Sequence, residues 1–298
     1  MKMRATIVIT AVLSGLLSAG CGKPQSPVLP ERSEVVFSAG GPVFSSSVST
    51  KTTAVTSLPS FYAGCTTGTA GNESSVWSSS TFTGSGSPMV YKGDRWWPVT
   101  DPSYHFYASN TPMTFTPDGL TVSASTSTDV ICAYLPDPTY KVRNTLLFRH
   151  VFSRITLVSV AAAPDYELRS VTLSVTPKVS GTYNLRLGAG KTDGTGWSGL
   201  SEGAPVTLAS RSVIQKDTTV QDTADLYLIP GEYAVSAVWT AVRGNYTETF
   251  EKQTDISVQA GKTNELSTIL TGLAKQLSIS VTVSEWTEEE KNAELNFE

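Results

Sequence analysis

The segment Leu277-Ser-Ile-Ser-Val-Thr-Val283 alternates apolar and small polar residues without a break. Only an extended strand, whose side chains point to opposite faces with a period of two, turns such a pattern into one apolar and one polar face. The alternation recurs in Val171, Leu173 and Val175, in Tyr183, Leu185 and Leu187, in Leu226 and Leu228, and in Tyr233, Val235, Ala237 and Trp239. Helical spacing is hard to find past residue 20. Turn signals separate the runs at Pro230-Gly-Glu232, Ala260-Gly-Lys262 and Val179-Ser-Gly-Thr182. Half-buried strands of this kind predict an all-β chain of the β-sandwich class. The 298 residues suffice for two sandwiches. The apolar run 155–160 stops at Ala161-Ala-Ala-Pro-Asp165 and a new one opens at Leu168, so the expected domains are 33–163 and 164–298.

The amino terminus is a different kind of sequence. Lys2 and Arg4 precede an apolar stretch at 5–17, too short for the roughly 20 residues a membrane helix needs, so residues 1–20 read as an export signal. The signal ends in Leu17-Ser-Ala-Gly-Cys21, which resembles the bacterial lipobox. That resemblance implies that Cys21 is diacylated and becomes the mature amino terminus, anchored by more than one acyl chain. Residues 21–32, with three prolines, read as a tether.

Composition and motifs argue against chemistry. Only 16% of residues are charged and the net charge is -4, so no nucleic acid or anionic membrane surface is favoured as a partner. Cys65 and Cys132 lack metal-ligand spacing and read as small buried hydrophobes, with a bridge between them left open. His105 and His150 sit among aromatic and apolar neighbours and read as packed, hydrogen-bonded side chains. Metalloprotease, phosphate-loop and nucleophile-elbow motifs are missing, and the acidic run 285–290 lacks the spaced ligands of a calcium loop. No enzyme, cofactor or metal is therefore expected. Trp96, Trp97 and Trp197 could form a sugar-stacking platform, the basis of an alternative reading as a static glycan- or protein-binding surface lipoprotein. Adjacent tryptophans on a strand face opposite sides, however, so at most one of the first two points inward. Core packing is the favoured reading.

Several short pieces, in order, resemble the fimbrillin-like family, the type V pilins and associated lipoproteins of Bacteroides-type bacteria. They are the lipobox, Glu34-Val-Val-Phe37 before Thr50-Lys-Thr52, Trp97-Pro98 leading to Phe106-Tyr-Ala108, Asp129-Val-Ile-Cys-Ala133, Leu147-Phe-Arg-His-Val-Phe-Ser-Arg-Ile155, Gly181-Thr-Tyr183, Leu228-Ile-Pro230, Ala260-Gly-Lys262 and Val283-Ser-Glu-Trp286. The resemblance implies two tandem transthyretin-like sandwiches, with the strand at 149–160 closing the first. It also implies a cell-surface subunit in the outer membrane or fimbrium that joins other pilin subunits, and receptors, without catalysis.

Assembly in that family proceeds by strand exchange: a protease trims the first strand and a strand from the next subunit's carboxy terminus fills the gap. Here the resemblance places trimming at Lys51, where many members have arginine; Arg32 precedes the strand, so cutting there removes nothing useful. Either a protease accepting lysine acts, or the chain keeps its strand and lipid as an anchor subunit or a non-polymerising lipoprotein. Val35 and Phe37 mark the removable strand, and Leu295 and Phe297, also two apart, mark the donor. The run 277–283 reads as an intramolecular strand.

Overall fold

A computed structural model describes residues 33–41, 58–98, 103–162, 167–214, 219–271 and 276–286. Among them the chain forms twenty strands and no helix. The first ten are β1 (Glu34–Gly40), β2 (Ser60–Thr67), β3 (Ser74–Ser85), β4 (Val90–Trp96), β5 (Tyr104–Ser109), β6 (Thr114–Thr116), β7 (Gly119–Ser125), β8 (Ile131–Pro136), β9 (Asn144–Leu147) and β10 (Arg149–His150). The rest are β11 (Ser153–Ala162), β12 (Glu167–Val175), β13 (Lys178–Asn184), β14 (Trp197–Glu202), β15 (Val206–Ile214), β16 (Thr219–Leu228), β17 (Gly231–Arg243), β18 (Tyr246–Val258), β19 (Lys262–Thr271) and β20 (Gln276–Glu285).

Eight strands form one bent sheet in the order β10-β8-β5-β2-β3-β4-β1-β9. Only Phe148 separates β9 from β10, so the chain steps directly from one edge of this sheet to the other. The two halves of the sheet enclose a core rich in rings: Phe37, Phe61, Phe82, Tyr91, Trp97, Tyr104, Phe106 and Phe148 are all buried there. A four-stranded sheet, β14-β13-β7-β6, covers the outer face of the β10-β8-β5-β2 half through a second cluster that includes Tyr107, Leu120, Val122, Cys132 and Tyr183. Strand β5 thus has neighbours on both faces, and all six of its residues are buried. Its polar members are satisfied there. His105 Nε2 donates to the Gly68 carbonyl at 2.9 Å, which leaves Nδ1 to accept from the Tyr134 hydroxyl at 3.3 Å. The buried Glu73 carboxylate accepts from the Tyr107 hydroxyl at 2.8 Å and from Thr66 Oγ1 at 2.5 Å, and pairs with Arg186.

The remaining strands form two sheets, β16-β11-β19-β20 and β15-β12-β17-β18, facing each other across an aliphatic core. The expected inward faces are confirmed for Val171, Leu173 and Val175 and for Tyr233, Val235, Ala237 and Trp239. In β11 the inward set passes from Ile155 to Val158 and Val160, because the pairing shifts between Ile155 and Leu157. The run 277–283 forms β20, paired to β19 at a sheet edge, with Ile279 and Val281 partly buried against the core.

Three local expectations need correction. The strand at 149–160, expected to close the first sandwich, is divided: Arg149 and His150 pair with β8, whereas β11 pairs with β16 and β19. Val179-Ser-Gly-Thr182 is strand rather than turn; within β13 it pairs with β7, crossing the division expected at 163/164. Gly181 packs closely there: a Cβ would lie 3.1 Å from the Ser198 carbonyl oxygen and 3.2 Å from the Trp197 ring. Leu187 does not share the inward face of Tyr183 and Leu185: β13 ends at Asn184 and Leu187 is exposed in the following turn.

Candidate functional site

The region that best fits an assembly function is the slot occupied by β1. Alternation in Glu34-Val-Val-Phe37 sends Val35 and Phe37 inward, and both are fully buried. The Phe37 ring meets Phe106 edge-on at 4.9 Å and lies 5.0 Å from Phe82 and 6.3 Å from Phe61. The surrounding rings also touch one another: Phe61 lies 4.7 Å from Tyr91 and 5.2 Å from Phe148, and Trp97 lies 5.4 Å from Phe106. Burying a side chain of this size is worth about 1.5–3 kcal/mol, and each well-placed ring pair adds about 0.5–1.5 kcal/mol.

The backbone of β1 is held on both sides, antiparallel to β4 and parallel to β9. Its ends are fastened by the Trp97 amide donating to the Ser33 carbonyl at 2.9 Å and the Phe148 amide donating to the Gly40 carbonyl at 2.8 Å. Gly41 follows with φ +112°, where a Cβ would lie 2.4 Å from the Phe148 carbonyl oxygen. Polar contacts sit only at the surface: Lys92 Nζ reaches Glu34 Oε2 at 2.9 Å, and the hydroxyls of Ser38 and Thr145 are 2.8 Å apart. Without β1, the slot between β4 and β9 would present aromatic faces and two rows of unpaired backbone groups to water, an arrangement that demands another extended segment.

Nothing in this slot is reactive. Burial pushes the Cys65 thiol up to about 12, and the Tyr91 hydroxyl, also raised by burial, donates to the Leu58 carbonyl at 2.7 Å. Cys65 and Cys132 are buried free thiols, as expected of small hydrophobes. Trp97 is buried in the core and Trp96 is 48% exposed, so the pair divides between the two faces. Trp197 packs on Phe152 and Tyr183, with ring centroids 5.4 and 5.2 Å away. Among the described residues no three His, Cys, Asp or Glu side chains gather to hold a metal.

The structure therefore brings Val35 and Phe37 together in one pocket. Cys21, Lys51, Leu295 and Phe297 lie outside the described residues. The pocket's walls on β4 and β9, notably Tyr91 and Leu146, and Phe148 just after β9, were not anticipated, because pairing with a strand some 107 residues away leaves no local signal.

The fimbrillin-like family model matches residues 41–286, more than four-fifths of the chain. The chain belongs to the fimbrillin-like family. A fimbrial protein of Bacteroides vulgatus has a similar structure, with a TM-score of 0.57 at 16% identity, covering 86% of this chain and 100% of that one. A candidate cell adhesion protein of Parabacteroides distasonis aligns with a TM-score of 0.50 at 11% identity over 85% of this chain and 96% of its own. No curated protein matches in sequence. As a fimbrillin-like protein the chain is a structural component of surface adhesion rather than an enzyme. Strand β1 lies just ahead of the matched region, outside the part by which the family is recognised.

Proposed function

We propose that this fimbrillin-like chain is a lipoprotein, anchored in the outer membrane through Cys21, that serves as a fimbrial subunit or accessory subunit and joins its neighbours by exchanging β1. Cutting near Lys51 frees β1, and an incoming carboxy-terminal segment enters the slot between β4 and β9. It makes main-chain hydrogen bonds to both, and alternate apolar side chains fill the places of Val35 and Phe37. Leu295 and Phe297 have the spacing this requires. Four or five such side chains give on the order of 10 kcal/mol gross, before ordering costs. Because donor and acceptor are different segments of the chain, the contact is heterologous and can propagate as a fibre.

The observation that carries this reading is that β1 supplies two knobs, Val35 and Phe37, to a pocket whose walls all come from other strands. Mass spectrometry of mature protein from cell envelopes tests it. The expected species are acylated Cys21 in the precursor and a new terminus next to Lys51 in polymer, with Leu295→Asp/Phe297→Asp abolishing polymer while leaving the monomer folded. Fibres assembled from chains that retain residues 34–51, or unaffected by the double substitution, would overturn it.

A further inference from the structure

A cleft of about 320 Å³ lies between the β8/β10 edge, the turn after β13, the turn at Ala260-Gly-Lys262 and the end of β20. It is remote in character from the β1 slot: its walls carry cations as well as rings. Three cationic side chains line it, Arg149, Lys191 and Lys262, against the single carboxylate of Glu285, which pairs with Lys262. Arg149 and Lys191 are exposed, and neither makes an ion pair with a described carboxylate. Asp193, the acid nearest Lys191 in sequence, is held low mainly by hydrogen bonds from the Thr195 side chain and amide, with a smaller contribution from the Lys191 charge. In a chain of net charge -4, a cleft lined by three cationic side chains and one carboxylate is a local reversal of sign.

The inner wall has a second unspent group. His150 is 3% exposed, and its ring stacks on Trp286 at 3.7 Å. Its Nδ1 lies 2.8 Å from Asp129 Oδ2, and its Nε2 is buried with no hydrogen-bond partner among the described residues. A buried polar nitrogen left unpaired is unfavourable and calls for a partner. Nearby, the turn after β13 is pressed onto Tyr183: a Cβ on Gly188 would lie 2.2 Å from its hydroxyl, so backbone rather than side chain forms that wall. At Gly190, φ +70°, a Cβ would meet nothing within 4 Å, so the mouth is open.

A ligand matching these features carries an anion for Arg149 and Lys191, a hydroxyl for the histidine side, and a compact body that fits the cleft. The volume falls at the small end of ligand sites. We propose that this cleft binds an acidic sugar, a uronic or sialic acid residue, whose carboxylate is held by Arg149 and Lys191.

Calorimetric titration of the full mature chain with D-glucuronate and N-acetylneuraminate tests it, with methyl glucoside, acetate and glucose 6-phosphate as comparison probes. Saturable binding of at least one acidic sugar is expected, about tenfold or more tighter than any comparison probe. Arg149→Ala and Lys191→Ala should each weaken it by about tenfold, the loss of one charge-assisted contact. Both side chains are exposed, so the melting temperature should not move, and a fold defect is separable from a binding defect. Absence of saturation, acetate or glucose 6-phosphate binding as well as the acidic sugars, or unaltered affinity in both variants would each overturn the assignment.

Discussion

The core around β1 and the core between the β11 and β12 sheets are built from different materials. The first is assembled from rings on strands β1 to β5 together with Trp97 and Phe148, and one contributor, β1, is joined to its partners only by long-range pairing. The second is mostly Val, Leu, Ile and Ala around Trp239, and its β17 and β18 form a hairpin paired without interruption from Gly231–Val258 to Arg243–Tyr246. Flat rings that meet at tilted and edge-on angles leave a pocket that accepts a replacement knob. Interdigitated branched aliphatics on a continuous hairpin accept only the residues that grew there. The difference is consistent with the proposal that exchange belongs to the first region and permanence to the second.

Phe37→Ala and Trp239→Ala break the comparison most directly. Each empties a fully buried site, and each is expected to lower stability by about 3–5 kcal/mol in urea unfolding of the intact chain. The two cores should diverge once residues 1–51, and Phe37 with them, are deleted. Stability lost with β1 should return when a peptide with alternating apolar residues, such as one carrying Leu295 and Phe297, is added at saturating concentration, whereas no peptide should rescue Trp239→Ala. Equal rescue, or none for either, would remove the distinction between a replaceable and a permanent core.

Where alternation is strong, the sequence already reveals which side chains face inward. Tyr233 to Trp239 and Val171 to Val175 are legible because each lies on a strand with one dry face, and the Trp96/Trp97 pair divides as strand geometry requires. What alternation does not carry is the identity of the neighbour. The same apolar face on β11 would suit either group of strands, and its true partners, β16 and β19, come later in the chain. The excursion of β13 to β7 was hidden for the same reason, and Gly181 added a false turn signal, since glycine serves close packing as well as chain reversal. Within the β1 slot, Val35 and Phe37 were legible and the walls supplied by β4 and β9 were not.

An alkaline titration sharpens the comparison with a smaller effect. Burial pushes the Cys65 thiol in the aromatic core from its ordinary 9.0 up to about 12, and the Tyr233 hydroxyl in the aliphatic core from 10.0 to about 12. Cys132, in the intervening cluster, is also raised to about 12 by burial, with the Ser109 hydroxyl acting in the opposite direction. A group whose pKa is higher folded than unfolded holds its proton more tightly in the native state. Its stabilisation is therefore complete below the unfolded value and lost as pH rises through the folded one. The urea midpoint should stay level to about pH 8.5 and fall between about pH 9 and 12. In Cys65→Ala/Cys132→Ala the fall should begin about one pH unit later, where Tyr233 takes over. An unchanged onset would mean that the thiols do not report on the packing of the first core.

The smallest effect concerns what holds β1 at its surface. Lys92 Nζ lies 2.9 Å from Glu34 Oε2, but the Lys92 side chain is 57% exposed, and an ion pair in water at such a site contributes about 0–1 kcal/mol. Lys92→Ala should therefore shift the urea midpoint of the intact chain slightly or not at all, and any shift should vanish in high salt, where exposed charges are screened. A salt-insensitive loss well above 1 kcal/mol would place the grip on β1 at its rim, and a donor segment would then have to match Glu34 as well as the two knobs. A negligible loss leaves the grip with the backbone ladder and the Phe37 pocket, features that any alternating apolar strand can reproduce.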